Sequence, residues 1–234
     1  MSIEDLFRLT GSITLRTASG EPKTLYYRVL TAAEDEQRSN MAGQASRRLR
    51  RLIDTEGSPE EHATFDEIEQ MGLEELRDYV TASQRNQLAQ QAILEVPERD
   101  FPELSPDIEH PTLDDIAELE DEREAAKARL VEARARFVNE RFEAWLKGFS
   151  QMTEEDVRKL GRGFARQARI TTEFSRVWNN WTIHQAFYLD EKFTRRAFSS
   201  PEAVMQLPGQ VYNLLLARYA ELDAFSFNVN ALKN

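Results

Sequence analysis

Between Thr31 and Leu222 the apolar residues recur at steps of three and four, and the two short runs rich in β-branched and aromatic residues both lie ahead of that stretch. This contrast constrains the fold more than any other feature. A period near 3.6 gathers apolar side chains on one face of a helix, whereas a period of two gathers them on one face of a strand. The expected class is therefore mainly α: a helical domain with an N-terminal β-hairpin and long amphipathic helices. The strands are expected at 12–16 and 24–30, with Gly20 and Pro22 supplying the turn between them. A two-stranded hairpin is marginal in water by itself. It must lie on its own helices or gain a strand from another subunit.

The helical part divides at recognisable signals. Thr31 and Glu34 have capping-box spacing, which starts a helix near Ala32 that runs to about Asp54, weakened midway by Gly43. Residues 55–59 break it, and a second helix is expected over 65–94, marked by Ile68, Leu76, Val80, Leu88 and Ile93. Residues 96–111 then place Pro97, Pro102, Pro106 and Pro111 among acids, the composition of an extended, semi-rigid linker or docking strap. A long helix follows from Thr112 to about Phe149; its middle, from Asp121 to Arg129, has only alanines as apolar residues and is expected to be exposed or loosely paired.

Thr153 and Asp156 begin the next helix, in which Gly161 and Gly163 allow either a close backbone approach or a bend. Ser200 is placed as an N-cap with Pro201 at the first helical position. Pro208 restarts the chain into a last helix carrying Val211, Leu214, Leu215, Tyr219 and Leu222. The organisation read from these signals is a first part at 1–95, the strap at 96–111, and a helical region at 112–234 that can pack with the first part as one domain.

Charge and composition remove several classes of function. A formal net charge of −11 opposes nucleic-acid phosphates at long range, so no nucleic-acid partner is expected. No apolar run approaches the eighteen or so residues that span a bilayer, and the first residues are acidic where a secretory signal is basic. The chain has no cysteine, which excludes disulfides, thiolate zinc sites and cysteine nucleophiles. A soluble, cytosolic protein is the expectation. The charge is also segregated: residues 95–124 hold thirteen acids and two bases, and residues 134–199 thirteen bases and eight acids. Such blocks pair within or between subunits, or stand as separate solvated faces. The sharpest basic feature is Arg47, Arg48, Arg50 and Arg51 around Leu49, for which pairing with acids of the same assembly is expected ahead of nucleic acid.

Reactive chemistry has no local signature. His62, His110 and His184 are scattered without the i, i+4 spacing of a helical zinc pair. Nucleotide-binding glycine motifs and the nucleophile elbow are absent. Carboxylate neighbours such as Asp114 with Asp115 and Glu74 with Glu75 read as solvated faces of an acidic protein. No catalytic residue, cofactor site or metal ligand is assigned, and no cofactor is expected. Aromatic density peaks instead over 178–189, and large rings dominate both cores and interfaces. Helical spacing favours the core; a binding surface is the alternative. The candidate partner-binding residues are Trp178, Trp181, Phe187 and Tyr188, with Phe225 and Phe227 as an apolar tail.

Two stretches carry a resemblance. At the front, Tyr27-Arg28-Val29-Leu30-Thr31-Ala32-Ala33-Glu34 is similar to a strand-to-helix entry. At the back, Phe198-Ser199-Ser200-Pro201-Glu202-Ala203-Val204, then Leu207-Pro208 and the helix from Leu214 to Leu222, resemble a closing pattern. Together they resemble the tail assembly chaperones of long-tailed, siphovirus-like bacteriophages and prophages, over about a third of the chain. The middle is larger than in compact members of that family, so no family site residue is carried over. The resemblance implies a helical, non-catalytic protein of the bacterial host cytoplasm that binds and solubilises the tape measure protein, or another tail protein, during tail morphogenesis. It also implies a longer frameshifted product, for which a slippery codon run at Leu232-Lys233-Asn234 is the candidate place. The rival expectation is a structural virion subunit, a connector or tail completion protein whose homo-oligomer forms a ring interface. An enzyme built from dispersed carboxylates is the third class.

Overall fold

The computed structural model describes residues 10–16, 20–98 and 113–231, and for 113–116 and 225–231 the backbone alone. Most of the expected strap, the side chains of Phe225 and Phe227, and Leu232 to Asn234 lie outside the described residues. The fold is mainly α with an N-terminal antiparallel hairpin. In chain order it comprises β1 (Thr10–Arg16), β2 (Pro22–Arg28), α1 (Ala32–Ile53), α2 (Pro59–Gln70), α3 (Leu73–Glu95), α4 (Leu113–Phe149), α5 (Glu154–Ala186), β3 (Phe187–Tyr188), α6 (Pro201–Val204) and α7 (Gly209–Ala231). These elements form two compact units, one from Met1–His62 with Gln167–Asn234 and one from Ala63–Arg166.

In the first unit the hairpin is completed from within its own chain. β1 pairs with β2 from Thr10 opposite Arg28 to Arg16 opposite Pro22, and β2 pairs on its other side with β3, Tyr26 opposite Tyr188 and Tyr27 opposite Phe187. The third strand thus arrives some 160 residues later in the sequence, directly off the end of α5. Alternation along β2 turns Leu25 and Tyr27 inward. There they meet Ile183, Ala186 and Phe187, Val204 of α6, and Leu215 and Tyr219 of α7. Gly11 lies opposite Tyr27, and a Cβ on it would fall 2.5 Å from the tyrosine ring. The glycine makes room for a ring that stacks on Phe187 at 5.1 Å between centroids.

The helix starts follow their caps. Thr31 Oγ1 accepts from the Glu34 amide at 3.3 Å while the Glu34 carboxylate accepts from the Thr31 amide at 2.9 Å, closing the box at the head of α1. Thr153 and Asp156 repeat this at α5. Ser200 accepts from the Ala203 amide with Pro201 next in line, as the spacing predicts. After α1, Gly57 turns the chain at φ +74° and the Ser58 hydroxyl accepts from the Glu61 amide at 3.0 Å, so α2 begins at Pro59, earlier than expected.

The helix expected over 65–94 is two helices. Gly72 takes an extended conformation (φ −64°, ψ 159°) and becomes the N-cap of α3. Glycine is an acceptable N-cap because it adopts such a turn at little cost.

In the second unit α3 and α4 run antiparallel: Arg134 Nε donates to the Val96 carbonyl at 3.0 Å, Arg85 lies over the Phe142 ring, and Arg77 lies over Phe149. Phe142, Trp145 and Phe149, spaced three and four apart, stack successively at 5.8 and 4.4 Å. The core gathers Ile68, Leu76, Val80, Phe149 and Val157. Gly161 of α5 serves close approach, since a Cβ there would lie 2.8 Å from Leu76 Cδ1 and 3.3 Å from Ile68 Cγ2. A Cβ on Gly163 would meet nothing within 4 Å. Residues 121–129 of α4 are exposed except for the half-buried Ala126, in line with their lack of large apolar side chains.

Candidate functional site

The aromatic run at the end of α5 is shared among three environments. Trp178, half-buried, stacks on Phe174 at 5.5 Å and receives the Arg38 guanidinium of α1 3.8 Å above its ring. Arg38 is itself only 7% exposed; it donates to Thr182 Oγ1 at 2.8 Å and pairs with Asp35. A ring face, a hydroxyl and a carboxylate hold this buried cation through its two terminal nitrogens, while its Nε has no hydrogen-bond partner. Trp181, also half-buried, meets the His184 ring edge-on at 5.9 Å. Burial and then the nearby Arg196 charge hold the His184 imidazole below its ordinary pKa. Phe187 and Tyr188 are buried, at 0% and 3% exposure. They therefore belong to the core of their unit, while Trp178 and Trp181 keep part of their surface in solvent.

Tyr188 anchors a charged cluster. Its hydroxyl accepts from Arg28 Nη2 at 2.9 Å, and both Arg28 and Arg196 lie over its ring. Arg28 grips Glu34 through two 2.8 Å hydrogen bonds, and Arg196 reaches the same carboxylate at 3.5 Å. Burial alone would raise the Glu34 pKa; the Arg28 hydrogen bonds and charge, with the Thr31 amide, overcome it and bring the group to about 2. Arg196 also donates to the carbonyls of His184 and Gln185 at 3.1 and 3.0 Å. The cluster thus ties β2, α1, the end of α5 and the following loop together.

Beside Trp178 in sequence, α5 forms one wall of an open groove of about 550 Å³ whose other wall is the turn between α6 and α7 and the start of α7. Thr171, Ser175 and Arg176 face Met205, Leu207 and Tyr212 across it. Arg176 is held by two hydrogen bonds to Glu173, at 2.7 and 2.8 Å, and donates to the Met205 sulfur at 3.1 Å. The Tyr212 hydroxyl donates to Asn180 Oδ1 at 3.1 Å, which fixes the floor. Met205 is 53% exposed. A polarisable thioether, an aromatic ring and aliphatic surface, bordered by hydroxyls and one guanidinium, suit contact with another polypeptide.

No histidine, aspartate or glutamate lines this groove among the described residues. Nor do three or more metal-ligating side chains gather anywhere among them. No helix among them is long and apolar enough to cross a membrane. Compared with protein-family models, curated proteins and solved structures, the chain matches none.

Of the groove residues, sequence reasoning picks out only Leu207, within the closing pattern. Met205 sits between the Ser200 cap and the Leu207-Pro208 step, where the apolar stripe of so short a helix has room for only one buried residue, Val204. That placement was the available signal. Glu34 is legible in the sequence as the capping-box partner of Thr31 and Arg28 as part of a strand-to-helix entry, but their link to Tyr188 and Arg196 spans some 160 residues and has no local signal.

Proposed function

We propose that this protein is a non-catalytic, protein-binding tail assembly chaperone of a long-tailed bacteriophage or prophage, acting in the host cytoplasm on the tape measure protein. The observation that carries the reading is the meeting of the two stretches that resemble that family. The strand-to-helix entry contributes Tyr27 and Leu30, and the closing pattern Val204, Leu215 and Tyr219, to one core. The resemblance therefore falls on a single structural unit. The open groove, formed by the closing pattern against α5, offers exposed apolar surface of the kind a polypeptide partner covers. Acidic net charge keeps such a complex soluble.

The test is capture from phage-infected or prophage-induced cells with wild type and with Met205→Glu, which places a charge in the groove at an exposed position. The expected result is recovery of a long helical tail component by wild type and its loss with the variant. Recovery of a portal or tube neighbour instead, with tape measure absent, would overturn the reading.

A further inference from the structure

The arginine cluster of α1 is exposed, and among the described residues none of Arg47, Arg48, Arg50 and Arg51 has a carboxylate partner. Three of them, Arg47, Arg48 and Arg51, line a shallow groove of about 400 Å³ together with Gln44, Leu52 and Thr55. Complementing the helix C-terminus accounts for a cation in the last turn. It does not account for Arg47 with Arg51, since like charges one turn apart repel and weaken the helix that carries them.

The opposite arrangement occurs on α4. Glu118, Asp121 and Glu122 are exposed, lie one turn apart, and have no basic partner among the described residues. The two patterns are complementary in a specific way. Arginines at steps of 0, 1 and 4, read backwards, have the steps 0, 3 and 4 of the carboxylates. Laid antiparallel, two such helices bring Arg51 opposite Glu118 and the Arg47–Arg48 pair opposite Asp121 and Glu122, over about 6 Å of helix axis.

We propose that this basic face of α1 is an interaction surface for a second copy of the chain, whose acidic face at Glu118, Asp121 and Glu122 it binds. The contact joins two different patches, so it is heterologous, and repetition closes into a ring or extends into a filament. The segregation of charge along the chain, thirteen acids to two bases over 95–124, extends the same complementarity beyond the three carboxylates. This inference is independent of the tape measure reading, because it concerns the purified protein alone.

Light scattering during size-exclusion chromatography tests it, over a range of concentrations at low salt (about 0.05 M) and high salt (about 0.5 M). The expected result is a mass that rises with concentration above the 27.1 kDa of one chain at low salt and returns to it at high salt. Two charge-reversal variants extend the test: Arg47→Glu/Arg48→Glu/Arg51→Glu and Glu118→Lys/Asp121→Lys/Glu122→Lys. All six positions are exposed, and circular dichroism checks that both variants fold. Each variant alone is expected to stay monomeric, and an equimolar mixture to associate. A wild type that is monomeric at every concentration at low salt overturns the proposal. So do variants that associate as wild type does, or arginines whose reversal abolishes retention of a single-stranded oligonucleotide while wild-type mass stays at one chain.

Discussion

Arg28 and Glu34 meet through two parallel hydrogen bonds, Nη1 to Oε2 and Nη2 to Oε1, each 2.8 Å long, with both side chains less than one-fifth exposed. A bidentate pair of this kind fixes direction as well as distance. Here it sets the angle at which β2 enters α1, and the shared contacts with Tyr188 and Arg196 extend that constraint to the far end of the chain.

The pair makes stability depend on acid in a defined window. The Glu34 carboxyl falls from its ordinary 4.5 to about 2 in the folded protein. A depressed folded pKa contributes stability that is complete above 4.5 and is lost as pH falls from there through 2, a contribution on the order of 2–3 kcal/mol. Glu34→Gln removes it and leaves Arg28 half-satisfied. Urea unfolding is expected to show the variant less stable by about 2–3 kcal/mol at pH 7, with the gap closing progressively below pH 4.5. A gap that stays constant down to pH 2 would show that the carboxylate charge is not the source.

Gly11 faces a ring that has nowhere to go. With Tyr27 stacked on Phe187, a Cβ at Gly11 displaces either the ring or the strand. Gly11→Ala is expected to destabilise the protein by about 1–3 kcal/mol, the usual cost of overpacking. Thermal or urea unfolding measures it, and a double-mutant cycle identifies the cause: in a Tyr27→Leu background the penalty shrinks. An equal penalty in both backgrounds would assign the cost to the strand itself.

Local signals were legible in the sequence where a few neighbouring residues decide the structure. The boxes at Thr31 and Thr153, the Ser200 cap and the Pro208 restart each form with the partners their spacing predicts. Gly72 was missed because a glycine within an apolar-periodic run reads as a weak helix position until the turn it caps is seen. β3 was missed for a different reason. Two residues carry no period, and Phe187 and Tyr188 become a strand only because β2 offers them an edge. The aromatic cluster was found, but its division between core and surface depends on α1, α6 and α7, none of which is adjacent in sequence. The groove residues Arg176, Met205 and Tyr212 come together for the same non-local reason.

Gly161 and Gly163 separate two effects that substitution by alanine usually mixes. Both positions lie within α5, so alanine at either improves helix propensity by about 1 kcal/mol. At Gly163 nothing opposes that gain, and Gly163→Ala is expected to stabilise by up to about 1 kcal/mol. At Gly161 the new Cβ presses on Leu76 and Ile68, both buried to 2% exposure or less. The packing cost there exceeds the propensity gain, so Gly161→Ala is expected to destabilise by about 1 kcal/mol or more. Chemical denaturation of the two single variants checks the opposite signs. Stabilisation by both would mean that the helix packing relaxes freely at Gly161.

Tyr219 supplies the alkaline counterpart of Glu34. It is 5% exposed in the core of the first unit, and its phenol is raised to about 12, first by burial and then by the Asp223 charge, against the opposing effects of Arg38 and of the hydrogen bond its oxygen accepts from the Leu30 backbone. A raised folded pKa contributes stability that is complete below 10 and lost as pH climbs through 12, because the unfolded chain releases the proton first. Tyr219→Phe cannot titrate. The variant is expected to be less stable at pH 8, by about 1 kcal/mol for the lost hydrogen bond, and to lose less stability than wild type between pH 10 and 12. Melting curves across that interval decide it, and parallel declines in the two proteins would place the alkaline sensitivity in other tyrosines. Ultraviolet titration of the phenolate gives a second reading on the same group: one tyrosine fewer should ionise late in the variant, since burial holds the Tyr219 phenol protonated to about 12.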